Sequence, residues 1–104
     1  MKRHDSIMPG NRTDRCYLCH MESTVLHLHH IFFGVKNRSR SDRFGCWVYL
    51  CPECHEGRYG VHGMDGHEVD MELKTKCQRE WEARFGTRED FIREFGKNYI
   101  MEDE

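Results

Sequence analysis

The feature that most constrains this chain is a repeated spacing, Cys16-x-x-Cys19 and Cys51-x-x-Cys54, within 104 residues. A C-x-x-C turn presents two thiolates from one tight knuckle, and zinc takes four such ligands in a tetrahedron, so two knuckles close a site. Six cysteines in a small secreted protein would instead suggest disulfides. The start, MKRHDSIMPG, lacks the apolar stretch of an export signal, so a cytoplasmic setting and metal binding are expected. A redox role normally uses one C-x-x-C in a βαβ setting, which this sequence does not offer. Cys46 and Cys77 are left over and are expected to be free, buried thiols. No run approaches the 18 or so apolar residues of a membrane span. Only 38% of residues are hydrophobic, so the core is lean and a structural metal would remedy a marginal fold.

The order of segments gives the cysteine knuckles a frame. Residues 1–14 are polar and read as a flexible lead-in. Residues 25–33 (VLHLHHIFF) are dense in branched and aromatic side chains and predict a strand. The polar, Arg-rich stretch 34–43 reads as a loop, and residues 44–50 (FGCWVYL) as a returning strand. Pro52 suits the first turn of a short helix, and Gly57, Gly60, Gly63 and Gly66 argue against a long continuation. One knuckle in a loop, a hairpin and a second knuckle at a helix start is the treble-clef arrangement. The 31 residues between the knuckles accommodate it. Further on, Val69, Leu73, Cys77, Trp81 and Phe85 lay an apolar stripe along one helix, which Gly86 ends. Thr87 with Asp90 forms a capping-box pattern for a second helix, whose buried side is Phe91, Ile92 and Phe95 before Gly96 stops it. The expected fold is therefore α+β. Residues 15–67 form a zinc-stapled core, residues 68–100 helices packed on it, and residues 101–104 an acidic tail.

A net charge of −2 hides an asymmetry, +4 over residues 1–45 against −6 over residues 46–104, and four of the eight Lys and Arg residues of the first part cluster in VKNRSRSDRF. Lys36, Arg38, Arg40 and Arg43 are opposed there only by Asp42. Such a cluster can meet phosphates by counterion release, or be a solvated loop. Zinc explains a folded domain but not eight histidines. His29 and His30 are adjacent in a strand and so point to opposite sides, which gives them different tasks. One could bind a metal while the other faces substrate or water. His55 directly follows the last knuckle cysteine, and His62 comes seven residues later.

The succession C-x-x-C, LHHI, a basic stretch and VYLCPECH resembles the HNH endonucleases with a ββα-metal core and a zinc-binding treble clef. The resemblance covers about residues 16–62. The wider set HHIFFG, GVH, QREWE, REDFI and EFGKNYI is similar to small phage or prophage proteins of that group. The resemblance implies His30 as general base, His29 as a metal ligand and His55 as the closing histidine, together a catalytic set. Where many members place one more ligand, four residues after the closing histidine, this chain has Tyr59. His62 is then the nearest candidate, with His67 in reserve. The family's middle Asn falls near Cys46, and Asn37 lies too early to match it. Also implied are a structural zinc on Cys16, Cys19, Cys51 and Cys54, and one catalytic divalent ion (Mg, Mn, Ni or Zn) on His29, His55 and His62. The substrate would be double-stranded DNA, with Lys36, Arg38, Arg40 and Arg43 clamping phosphates. A bacterial or phage-encoded cytoplasmic protein is expected, with a phage or recombination protein as a possible partner. Two rival readings stay open: a non-catalytic zinc module that binds nucleic acid, and an interaction protein using its acidic helical part.

Overall fold

Alternation along His27–His30 sets up the architecture, since it turns His29 inward to 2% exposure while its neighbours stay half-buried. The computed structural model describes residues 3–100, so the acidic tail 101–104 lies outside the described residues. Strand β1 (His27–His30) pairs antiparallel with β2 (Trp47–Leu50), with His27 opposite Leu50, Leu28 opposite Tyr49, His29 opposite Val48 and His30 opposite Trp47. Four helices complete the chain: α1 (Val35–Phe44) between the strands, then α2 (Pro52–Glu56), α3 (His67–Arg84) and α4 (Arg88–Phe95). The molecule is α+β, as expected, and no described helix is long and apolar enough to cross a membrane.

The largest departure from the sequence reading is α1, a ten-residue helix where residues 34–43 were expected to form a loop. Its inward face is Asn37, Ser41 and, only in the last turn, Phe44, so no hydrophobic period marks it. Ser41 is fully buried and donates to the Phe32 carbonyl while accepting from the Phe32 N–H, and Asn37 donates to the Phe95 carbonyl. Gly45 ends the helix in the left-handed region at φ 78°. A Cβ there would collide with the Asp5 carbonyl oxygen. The helix also shortens both expected strands, because the chain turns at Gly34 and again at Gly45.

The expected flexible lead-in over residues 1–14 is corrected in its described part. Ile7 and Met8 are buried in the core, the Ile7 N–H donates to the Gly45 carbonyl, and Ser6 Oγ donates to the Trp47 carbonyl. The C-terminal part follows its pattern more closely. Leu73, Cys77 and Trp81 are buried on α3, and α4 carries the reciprocal Thr87–Asp90 capping box. Phe91 and Phe95 stack at 4.7 Å and meet Phe32 and Trp81. Ile92, expected on the buried side, is exposed, because α4 buries one narrow i, i+4 edge. Cys46 and Cys77 are free and fully buried, and burial pushes the Cys77 thiol well up.

Candidate metal centre

The two knuckles meet. Cys16, Cys19, Cys51 and Cys54 bring their sulfurs within 4.8 Å of one another, positioned to bind a metal ion. Zinc–sulfur bonds of about 2.3 Å at tetrahedral angles put sulfurs about 3.8 Å apart. Cys19 Sγ and Cys51 Sγ stand 3.8 Å apart. In each knuckle the later cysteine's backbone N–H donates to the first cysteine's sulfur at 3.5 Å. The first knuckle is closed by an Arg15–Glu22 bridge and docks on β2 through the Tyr17 N–H to the Tyr49 carbonyl. The second is the N-cap of α2, where Pro52 has no N–H to leave unsatisfied.

The quartet's protonation fits a cation. Burial opposes a charged Cys16, but backbone N–H groups, that of Cys19 foremost, outweigh it and bring the thiol down to about 7. Burial and the neighbouring sulfurs push the Cys54 thiol up. Four sulfurs this close cannot all ionise unless a metal cation offsets their charge.

A second cluster lies beside the first. His29 from β1, His55 from α2 and His62 from the following loop form a trio of possible metal ligands. Their rings are 5.2 Å (His29–His55), 5.1 Å (His29–His62) and 4.9 Å (His55–His62) apart. His62 reaches its place because the glycine loop folds back, so that its N–H donates to the His55 carbonyl at 3.0 Å. Gly60 permits that path: a Cβ there would lie 2.5 Å from the Cys54 carbonyl oxygen. His67 instead begins α3 and lines a separate cleft, and Tyr59 is exposed with Arg58 over its ring.

His29 supplies the test of fit. Its Nε2 is buried with no hydrogen-bond partner, an arrangement that costs free energy unless something fills it. Burial first, then His55 and His62, lower its pKa to about 3, so the ring is neutral. His55 is lowered by burial and by His62 and His27. A divalent ion requires neutral imidazoles with a free lone pair, a condition that the lowered His29 and His55 favour, and the spacing of the trio fits one.

His30, on the other side of β1, does something else. Its Nε2 lies 2.8 Å from Asp42 Oδ1 on α1. An ionised carboxylate only accepts, so His30 donates Nε2–H and keeps Nδ1 as its basic nitrogen. Burial works against the Asp42 charge, but Arg3 and His30 outweigh it and hold the carboxyl below its usual range. Arg3 Nε donates to the same oxygen at 2.7 Å. Both adjacent histidines nonetheless line one pocket of about 510 Å³, with Leu28, Phe33, Gly34, Arg38, His55 and His62.

The expected four-cation clamp is divided by the helix. Positions 36, 40 and 43 share one face of α1, and position 38 falls on the opposite one. Arg38 lines the histidine pocket, whereas Arg40 and Arg43 both donate to Glu94 of α4, at 3.4 and 3.2 Å. Lys36 sits with Arg40 and Arg93 at a small recess on that far side. Asp42, Arg3 and His27 were not singled out by sequence reasoning. The one available signal was Asp42 itself, the lone acid in a basic run.

Compared with family models, curated proteins and solved structures, the chain gives no match in any of the three.

Proposed function

We propose that this chain is a metal-dependent endonuclease of the HNH type, hydrolysing DNA phosphodiester bonds on a zinc-stapled ββα-metal, treble-clef core. The observation that carries the reading is the single pocket in which the His29–His55–His62 trio, the Asp42-partnered His30 and Arg38 converge. A binding module needs no carboxylate-oriented histidine beside three candidate metal ligands. The structural zinc is assigned to Cys16, Cys19, Cys51 and Cys54, whose sulfur spacing suits it.

His30 acts as general base, taking a proton from water onto Nδ1 while Asp42 holds the opposite nitrogen. Asp42 fixes the tautomer and stabilises the imidazolium that forms. A divalent ion bound by His29, His55 and His62 would contact the scissile phosphate and offset charge on the leaving 3′ oxygen. Arg38 meets a phosphate at the pocket rim and positions the backbone without reading sequence. This machinery holds no base-reading element, so weakly specific nicking or cutting is expected. Imidazole ligands favour Mn, Ni or Zn over Mg.

The test is supercoiled plasmid incubated with zinc-loaded protein and added Mn²⁺, Ni²⁺ or Mg²⁺, beside His30→Ala. Metal-dependent nicking lost in His30→Ala supports the reading. Absence of nicking with every ion, or nicking that survives the substitution, overturns it. Salt-sensitive DNA retardation indifferent to His30→Ala would instead mark a non-catalytic zinc module.

A further inference from the structure

His27 belongs to none of the roles assigned so far, yet it makes one of the shorter side-chain contacts near the pocket. Its Nδ1 lies 2.8 Å from Nδ1 of His55, the rings meeting edge to face with centroids 4.9 Å apart. Two Nδ1 atoms at that distance form a hydrogen bond only if one carries a proton and the other a lone pair. The pair therefore has two arrangements, which differ in what they leave at the far side of His55.

If His27 donates, His55 must carry its own proton on Nε2, and that nitrogen can ligate nothing. If His55 donates, its Nε2 keeps a lone pair. With Nδ1 committed to His27, Nε2 is the nitrogen His55 has left for the cluster it forms with His29 and His62. Metal-bound histidines generally donate their second N–H to a neighbouring acceptor, which fixes the tautomer and raises ligand basicity. Carboxylates and carbonyls usually take that part. Here Glu56 Oε2 is 3.9 Å from His55 Nδ1 and mostly exposed, so His27 is the better placed acceptor. Its position is well determined, because β1 register sets it opposite Leu50, directly before the second knuckle.

We infer that His27 is a positioning residue for the divalent ion: it accepts Nδ1–H from His55, carries its own proton on Nε2, and so presents His55 Nε2 to the ion held with His29 and His62. The inference rests on the metal reading of that trio. A different role for the same atoms is a separate ion on His27, His55 and Glu56, which also lie within ligand reach of one another; ion counting separates the two.

The experiment keeps zinc on the cysteines and titrates Ni²⁺ into wild type, His27→Leu, His27→Gln and His55→Ala by calorimetry. Wild type should take one Ni²⁺ beyond the zinc. His27→Leu should bind at the same stoichiometry but 10- to 100-fold more weakly, as loss of an outer hydrogen-bond partner does. His27→Gln, whose side-chain oxygen accepts, should recover most of that loss, and His55→Ala should bind far more weakly than either. Equal affinity in wild type and His27→Leu overturns the inference and leaves the trio standing. A stoichiometry lower by one ion in His27→Leu also overturns it, since His27 is then a ligand. No Ni²⁺ bound by wild type overturns both the inference and the trio. The ring-nitrogen NMR spectrum of zinc-saturated wild type needs no variant to fold. It should show the protons on His55 Nδ1 and His27 Nε2, and the reverse pattern overturns the inference.

Discussion

His30 and Asp42 are joined across 2.8 Å between a strand end and a helix, twelve residues apart in sequence. This bond makes the adjacent histidines of β1 chemically unlike each other. His29 has a buried nitrogen without a partner, and His30 has a carboxylate on its Nε2. Asp42→Asn should preserve the packing but can leave His30 in the wrong tautomer. The rate of plasmid nicking should fall at least about 10²-fold, with DNA affinity changed far less. A variant that nicks at the wild-type rate would remove Asp42 from the mechanism.

Metal content provides a second expectation. Purified protein should carry one tightly held zinc per chain, and chelation should unfold it, because an ion on the four sulfurs ties the first knuckle to the start of α2 in a chain whose apolar core is lean. Cys51→Ser should release that zinc and lower the melting temperature sharply. A cooperative, unchanged melt after complete chelation would remove the structural role.

Acid should destabilise the protein when the histidine trio is metal-free. The folded His29 has a pKa near 3 against an ordinary 6.5, chiefly through burial. Between those values the unfolded chain binds a proton that the folded chain does not. Stability is therefore lost as pH falls from about 6.5, at no more than about 1.4 kcal/mol per pH unit for this one proton. Denaturant midpoints measured at pH 7, 6 and 5 should decline less steeply in His29→Leu. Equal slopes in the two proteins would exclude His29 as the cause.

Cations on α1 should differ in their effect on DNA binding. Arg38→Ala should reduce the slope of log affinity against log salt by about one, the signature of one lost phosphate contact. Arg40→Ala should change that slope less, since Arg40 already meets Glu94. Its effect on stability should stay within about 1 kcal/mol, as for other partly exposed ion pairs. An Arg40→Ala slope change as large as that of Arg38→Ala would mean that the Glu94 contact opens on binding.

Gly45 should resist substitution. Its φ of 78° and the Asp5 carbonyl against it leave no room for a Cβ. Gly45→Ala should cost at least about 1 kcal/mol of stability, read from thermal or chemical denaturation. Because Ile7 bonds to the Gly45 carbonyl, the N-terminal strap should loosen with it and become easier to cleave by protease. Wild-type stability in Gly45→Ala would show that the strap can move aside.

Much of the metal centre was legible in the sequence, because its residues belong to local patterns. Cysteines two residues apart make a knuckle whatever surrounds them, and alternation in a strand separates His29 from His30 before any contact is known. The Thr87–Asp90 box and the α3 stripe likewise depend on neighbours within one turn or a few. What only the tertiary structure decided involves side chains that are polar and yet buried or paired at long range. Helix α1 was unreadable as a helix because, before Phe44 in its last turn, its inward residues are Asn37 and Ser41, whose partners are backbone atoms of distant segments. Once that helix forms, it carries Asp42 to His30, turns Arg38 toward the pocket and commits Arg40 and Arg43 to Glu94. His27 meets His55 only because β1 and the second knuckle lie side by side. Hydrogen bonds and ion pairs of this kind follow from three-dimensional proximity, which residue type and spacing along the chain do not encode.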